Sequence, residues 1–497
     1  NLNDKWHTSF WGRTLYDFDE IMLPTELNDD HRFNPSVNLD YLRFMTDSTI
    51  ECFENEANII RKYCPDKTIQ TNISGHIEKL DQFKFVKHMD IAAWDNYPKP
   101  TDARNFIAYK HDLMRGLKDG ESFMMQEQSP NQQNWQPYNL LKRPGEVRRL
   151  SYQAMAHGAD TCLFFQMRQS VAGQEKFHGA IISHSGREDT RVFRESSVLG
   201  AELAHIGDTF LNGRTPARVG ILFDWNNWWA LELSSGPSKD MDYLKTVSLY
   251  YETLYRQNIG VDFLPFEAEL EKYDLVIAPM IYMEKNNIGE KLNAYVKNGG
   301  TLVTTVMSGL ADENDRCVFG AYPGKLKDML GIWVEETDAL RPYEQNHMKI
   351  EKADMVSREE YSCDFLCDII HPEGGAEVLA TYEDDFYAGT PCVTCNTFGK
   401  GKAYYIGTQP EQKFLEELME KICKDCNIES VYSADEGVEL TVRKSDKGRI
   451  VFVINHNSKE AEVDFGTDKL KSLIDERKFT GKNTIQPGDV FVTIVEE

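Results

Sequence analysis

Between residues 68 and 208, a short strand-like run gives way to a helical pattern four times in succession. The strand-like runs are TIQTNISG (68–75), DIAAWDNYP (90–98), SFMMQEQSP (122–130) and DTCLFFQMRQS (160–170). The helical patterns after them span 80–89, 102–118, 144–159 and 189–208; a longer one, 34–63, comes first, entered at Asn34-Pro35 and stopped by Cys64-Pro65. Serial β-then-α units imply a parallel sheet with helices outside it. Such sheets bind ligands at the C-terminal ends of their strands. Asn72, Asp95, Tyr97, Glu127, Gln166 and Arg168 all fall at or just beyond those ends. No glycine-rich turn follows any strand to hold a phosphate, which favours a (β/α)8 barrel over a doubly wound nucleotide-binding sheet. Four units make half a barrel, so residues 1–212 are expected to be its C-terminal half, strands five to eight, with the first four strands lying before Asn1.

The fold class expected is α/β throughout most of the chain. Residues 213–429 form a second α/β region, with strands at 217–224, 273–280, 300–306 and 402–408 and helices at 243–257, 288–299 and 412–425. The pattern resembles a flavodoxin-like or glutamine-amidotransferase-like sheet. A catalytic version needs a cysteine on a sharp elbow, and the best-placed run, TTVMSG (304–309), has none; the expected role is structural. The acidic stretch near 335–362 is expected to be a surface excursion. Residues 430–497 alternate at period two between Gly, Asp and Asn turns, as in a small antiparallel β-domain.

The 497 residues carry a formal charge of −25, which repels nucleic acid and anionic membranes. No apolar run is long enough to span a bilayer, and no signal peptide is visible. Ten cysteines spread thinly over the chain suggest reduced thiols and a cytoplasmic location. Cys392, Cys395, Cys423 and Cys426 could make a four-thiolate zinc site, but the gap between the pairs is wider than in zinc ribbons, and the first pair lies on a strand, where i and i+3 face opposite ways. Buried small thiols are the favoured reading. The chain opens NLNDKW without an initiator Met, which reads as an internal cut.

On the barrel reading, the rim combines carboxylates with aromatic platforms. Glu127 ends a strand, and Trp135 follows on its loop. Glu175 and His178 lie three residues apart in AGQEKFHGA, and Trp11, Trp94 and Tyr97 sit in SFWGRT and WDNYP. Acids and aromatic faces with few cations suit a neutral, hydroxyl-rich ligand such as a sugar, and glycoside hydrolysis needs two carboxyl groups flanking one bond. Each residue also has a plainer reading: Glu127 in an ion pair with Arg168, Asp95 as a helix cap, Glu175 and His178 on a solvated loop, the tryptophans as core.

The segments LNDKWHTSFWGRTLYDFDEI, NPSVNLDYLRF, PDKTIQTNISG, WDNYP, MQEQSPNQQNWQPYN, RPGEVRRLSYQAMAHGAD, FFQMRQS and EKFHGA, in this order, resemble the glycoside hydrolase family 42 β-galactosidases. The resemblance implies a retaining enzyme on a (β/α)8 barrel, followed by a trimerisation domain and a small β-domain, acting as a homotrimer on galactosides. It places Glu127 as the nucleophile, Trp135, Glu175 and His178 against the galactose, and Trp11 and Tyr97 at the pocket. Met167, Ile73 and Ser74 depart from the family's usual residues.

The family's acid/base glutamate belongs to an Asn-Glu pair at the end of strand four; the one Asn-Glu here, Asn55-Glu56, falls within a helical pattern. That residue is therefore expected upstream. No cofactor is expected to be required, and the zinc-ligand segment of some family members would also lie upstream. Related specificities, α-L-arabinopyranosidase or β-fucosidase, share the pyranose ring and stay open, as does a non-catalytic galactoside-binding scaffold.

Overall fold

The structure, a computed structural model, describes residues 1–24, 34–75, 77–234 and 236–495. Helix α1 (Pro35–Tyr63) starts where the Asn34 side chain accepts from the Val37 amide, with Pro35 in the first turn, and stops at Cys64 ahead of Pro65. Strands β1 (Ala93–Asp95), β2 (Phe123–Glu127) and β3 (Ala159–Cys162) pair in parallel in chain order. Helices α2 (Arg104–Gly116), α3 (Glu146–Ala156) and α4 (Arg191–Ile206) follow these strands. Phe123 and Met125 are fully buried on one side of β2. The expected strand over 68–75 shrinks to a single bridge, Ile73 to Trp94, and the other strands are shorter than their apolar runs. In TIQTNISG, Thr71, Asn72 and Ser74 interleave with the apolar residues and leave little surface to bury.

The second region begins with β4 (Val219–Leu222), α5 (Trp225–Leu233), α6 (Tyr243–Arg256), β5 (Val261–Leu264), β6 (Leu275–Ala278), α7 (Ile288–Asn298) and β7 (Thr301–Thr305). It continues with β8 (Ile332–Ala339), β9 (Asn346–Ile350), β10 (Glu360–Pro372), β11 (Glu377–Tyr382), β12 (Pro391–Phe398), β13 (Gly401–Ile406) and α8 (Gln412–Asp425). One sheet runs β8-β10-β9-β11-β12-β13-β7-β6-β4-β5, parallel from β13 to β5 and antiparallel before it. The acidic stretch near 335–362 is thus not simply an excursion: nearly half of it lies in β8, β9 and the start of β10, with loops between them. Its strands look polar in sequence because they bury only one face: Ile332 and Val334 are buried whereas Glu335 and Glu336 are exposed.

Strand order reverses between β4 and β6, where open α/β sheets bind ligands. Here α5 closes that crevice. The Asn227 amide donates to the Met280 carbonyl (2.9 Å), and its oxygen accepts from the Met283 amide (3.0 Å). After β7, Met307 adopts left-handed backbone (φ 64°) at the position of the elbow, and the Ser308 hydroxyl donates to the Thr305 carbonyl (2.6 Å). A Cβ on Gly309 would collide with the Pro323 carbonyl, which explains the glycine.

The third region pairs β14 (Val438–Ser445), β15 (Gly448–Asn455) and β16 (Val490–Val495) in antiparallel order. Arg443 on β14 is fully buried and reaches into the first region. It donates to the carbonyls of Met155 (3.0 Å), Ala159 (2.9 Å) and Gly213 (3.1 Å), and pairs with Asp160 at 2.6 Å. The three regions therefore share buried polar contacts. Among the described residues no helix is long and apolar enough to cross a membrane.

Candidate active site

Glu127 closes β2. The register between β1 and β2 is regular from Ala93–Met124 to Trp94–Met125, then slips by one, so that Asp95 pairs with Glu127. Gln126 is the extra residue. Such a bulge re-aims the side chain beside it, and here it sets Glu127 level with Asp95 at the rim. The Asn96 amide donates to the Glu127 carbonyl (2.8 Å) and fixes the strand end. The side-chain partner of Glu127 is Tyr97, whose hydroxyl donates to Oε2 at 2.7 Å. The alternative ion pair with Arg168 is not formed among the described residues; the backbone of Arg168 pairs with Ile182. Burial, then the hydrogen bond to Glu127, push the Tyr97 phenol well above its usual range, so Tyr97 stays a donor.

Two loops bring the remaining residues together. Gly179 donates its amide to the Gln132 carbonyl (2.9 Å), Asn134 donates to the Gln174 carbonyl (2.6 Å), and Gln132 donates to the Phe177 carbonyl (3.2 Å). A Cβ on Gly179 would lie 2.9 Å from Asn131 Cβ, so glycine permits this approach. The staple places His178 beside Trp135 (ring centroids 6.4 Å) and both beside Tyr97 (5.8 and 5.4 Å). Phe165 supports His178 from another side at 5.4 Å. Trp135 keeps about half its surface exposed (51%), as a wall facing a cleft would.

His178 is fully buried, yet neither ring nitrogen has a hydrogen-bond partner among the described residues. Burial lowers its pKa, Lys142 adds to the effect and Glu127 opposes it, so the neutral imidazole can donate from one nitrogen and accept at the other. Lys142 is itself pushed down to about 8 by burial. The Glu175 carbonyl accepts from the His178 amide (2.9 Å), and its carboxylate acts electrostatically on Tyr97. Glu127, Tyr97, Trp135, Glu175 and His178 thus form one constellation: a carboxylate with a fixed donor, an aromatic wall and open hydrogen-bonding groups.

Trp11 stands apart from it. It is exposed, stacks on Phe10 (centroids 5.0 Å) and lines a different cleft with Tyr282, Met307 and Asp315. Trp94 is core, edge-on to His111 at 5.0 Å. The loop staple of Gln132 and Asn134 escaped the sequence reasoning because amide side chains on loops carry no periodic signal. Among the described residues no three His, Cys, Asp or Glu side chains gather as metal ligands.

Residues 1–206 match the family model described as beta-galactosidase, 217–429 the beta-galactosidase trimerisation domain, and 437–493 the beta-galactosidase C-terminal domain. The chain is 46% identical over 495 residues to beta-galactosidase BgaP of Planococcus sp. (strain L4), covering 99% of this chain and 73% of that relative. It is 43% identical to beta-galactosidase bgaB of Geobacillus kaustophilus, covering 99% and 72%. The crystal structure of the β-galactosidase from Bacillus circulans sp. alkalophilus superposes with a TM-score of 0.96 at 46% identity, over 99% of this chain and 73% of that one. A catalytic mutant of Gan42B, a GH42 β-galactosidase from G. stearothermophilus, superposes at 0.93 with 34% identity, over 99% and 72%. The chain belongs to glycoside hydrolase family 42, the family of these β-galactosidases.

Proposed function

We propose that this chain carries the nucleophile side of a retaining β-galactosidase that removes terminal β-D-galactosyl residues from galactosides. The observation that carries this reading is Glu127 at the end of β2, held by the Tyr97 hydroxyl at 2.7 Å beside the Trp135–His178 wall. A retaining mechanism needs an ionised carboxylate fixed within reach of the anomeric carbon. Glu127 attacks that carbon, the glycosidic C–O bond breaks, and the leaving oxygen takes a proton from a second carboxyl group. Water, activated by that same group, then displaces Glu127 from the galactosyl–enzyme ester. In retaining enzymes the two carboxyls stand about 5–5.5 Å apart across the scissile bond.

Asp95 stands beside Glu127 on the adjacent strand, not across a sugar from it. We assign the acid/base role to a second carboxyl group outside the Glu127 constellation. Glu175 and His178 hold ring hydroxyls, and Trp135 covers the apolar sugar face. His178 contributes most to specificity, since a buried imidazole left unpaired by the wrong epimer is costly. The reaction uses carboxyl groups alone and no cofactor. Residues 213–429 serve assembly into a homotrimer, and 430–497 form the terminal β-domain.

The test is Glu127→Gln in the full-length enzyme, which should abolish hydrolysis while sugar binding persists. Azide should rescue Glu127→Gly and yield α-galactosyl azide. Near-normal turnover by Glu127→Gln would overturn the assignment.

A further inference from the structure

The strand pairing that aligns Glu127 also sets a second carboxyl, Asp95, directly opposite it. Adjacent strands lie about 4.8 Å apart. The negative charge of Glu127 on the neighbouring strand favours a proton on Asp95. The donors around the two carboxyl groups differ. Glu127 receives the Tyr97 hydroxyl on Oε2 at 2.7 Å. Asp95 receives the Asn72 amide on Oδ2 at 2.5 Å, and its Oδ1 is buried with no partner among the described residues. A buried carboxylate oxygen without a donor is costly, whereas a protonated one becomes a donor itself.

We propose that Asp95 works as a neutral carboxylic acid beside Glu127, a positioning residue that keeps a second negative charge away from the nucleophile. The proposal rests on the reading of Glu127 as the nucleophile. The proton sits on Oδ1, since Oδ2 is committed to Asn72. Asp95 is neutral when the galactosyl–Glu127 C–O bond breaks and its electron pair returns to the Glu127 carboxylate. An ionised Asp95 would oppose that step by placing a second negative charge beside the departing one. The charged and titratable groups facing Asp95 are Glu127 from β2 and Tyr97 from its own strand end, and the Asn72 amide faces it from the preceding segment. Burial, with Glu127 adding and Asn72 opposing, raises the Asp95 pKa to about 6, in the direction the geometry requires.

The experiment is the pH profile of kcat for Asp95→Asn in the full-length enzyme. Asn is neutral at every pH, keeps the acceptor for Asn72 and supplies an N–H in place of the Oδ1 proton. The expected result is an alkaline limb of kcat moved up by about one pH unit. An unchanged alkaline limb would overturn the proposal. So would an inactive Asp95→Asn beside an active Asp95→Glu, because the charge would then be what matters. Should Asp95→Asn fold poorly, Asn72→Asp provides the converse: a new negative charge facing Asp95 must raise its pKa and carry the alkaline limb upward, and a limb that stays or falls counts against the idea. Azide rescue of Glu127→Gly is run in parallel. Rescue with an unmoved limb overturns the Asp95 assignment alone, whereas absence of rescue overturns the reading of Glu127 on which it rests.

Discussion

His157 Nε2 and Glu439 Oε1 meet at 3.2 Å although 282 residues separate them in the chain. The other face of the imidazole, Nδ1, lies 2.8 Å from Asp112. Glu439 also accepts from Tyr255 (2.6 Å) and Gln153 (2.7 Å) and faces His456 Nε2 at 3.1 Å. Residues from all three regions of the chain meet in this buried cluster. Burial opposes a charge on His157, but Asp112 and Glu439 outweigh it and the pKa is pushed up to about 9. Glu439 is correspondingly held far below the usual carboxylate range: burial pushes it up, and the charge and hydrogen bond of His157 overcome that.

The sign of the pH dependence follows. His157 has a folded-state pKa above its ordinary value of 6.5, so its stabilisation is complete below 6.5 and is lost as pH rises to about 9. Glu439 has a depressed pKa, so its contribution is present above about 4.5 and is lost as the solution is acidified below that. Urea titrations across pH 5–10 should show wild-type stability falling through pH 6.5–9. In His157→Gln that slope should disappear, and stability at pH 6 should drop by about 1.5–3 kcal/mol, the contribution of a hydrogen bond to a charged group, because Glu439 and Asp112 keep their other partners.

Removing the Tyr97 hydroxyl tests the donor on the nucleophile. Hydrogen bonds to charged groups contribute about 1.5–3 kcal/mol. Tyr97→Phe should therefore lower kcat by about 10- to 150-fold with little change in KM, because the bond aligns and stabilises Glu127 rather than the sugar. Steady-state kinetics on a nitrophenyl galactoside would measure it, and a change confined to KM would assign Tyr97 to substrate binding instead.

Trp135 offers the complementary test. Its role as a wall predicts that Trp135→Ala raises KM by up to about tenfold, from the loss of about 0.5–1.5 kcal/mol of ring contact. The thermal midpoint should hardly move, because half the side chain is exposed already.

Arg443 is the main peg between the third region and the first. Arg443→Met removes every one of its bonds and takes from Asp160 its cationic partner at 2.6 Å, leaving it the Asn212 amide. The expected cost is about 3–5 kcal/mol. Limited proteolysis should then cut first near residue 437, releasing the terminal β-domain while the wild-type chain stays intact.

What the sequence revealed and what it hid divide along physical lines. Helices with a strong apolar stripe, such as Pro35–Tyr63 and Gln412–Asp425, begin and end within a few residues of the positions their caps and breakers indicate. The parallel arrangement followed from the order of units. Strand lengths did not, because an apolar run continues past the last ladder bond: DTCLFFQMRQS contributes only Asp160–Cys162 to the strand Ala159–Cys162. Helix Trp225–Leu233 escaped because it is apolar nearly all round, with Trp225, Trp228 and Trp229 all buried, and leaves no periodic trace. At the candidate site, Glu127, Tyr97, Trp135, Glu175 and His178 were visible as residues. Their convergence was not, since it depends on a one-residue register slip at Gln126 and on amide–carbonyl bonds between two loops. Trp11 lies outside this constellation, stacked on Phe10 and lining another cleft.

Met307 sits in left-handed backbone at the end of a parallel strand, pinned by the Thr305–Ser308 hydrogen bond and by a glycine that nothing larger can replace. None of those restraints involves a nucleophile. The elbow is therefore an architectural joint that survives without chemistry to perform. The same joint gives protein engineers a ready-made socket: Met307→Cys would place a thiol on a turn whose geometry the surrounding sheet already maintains.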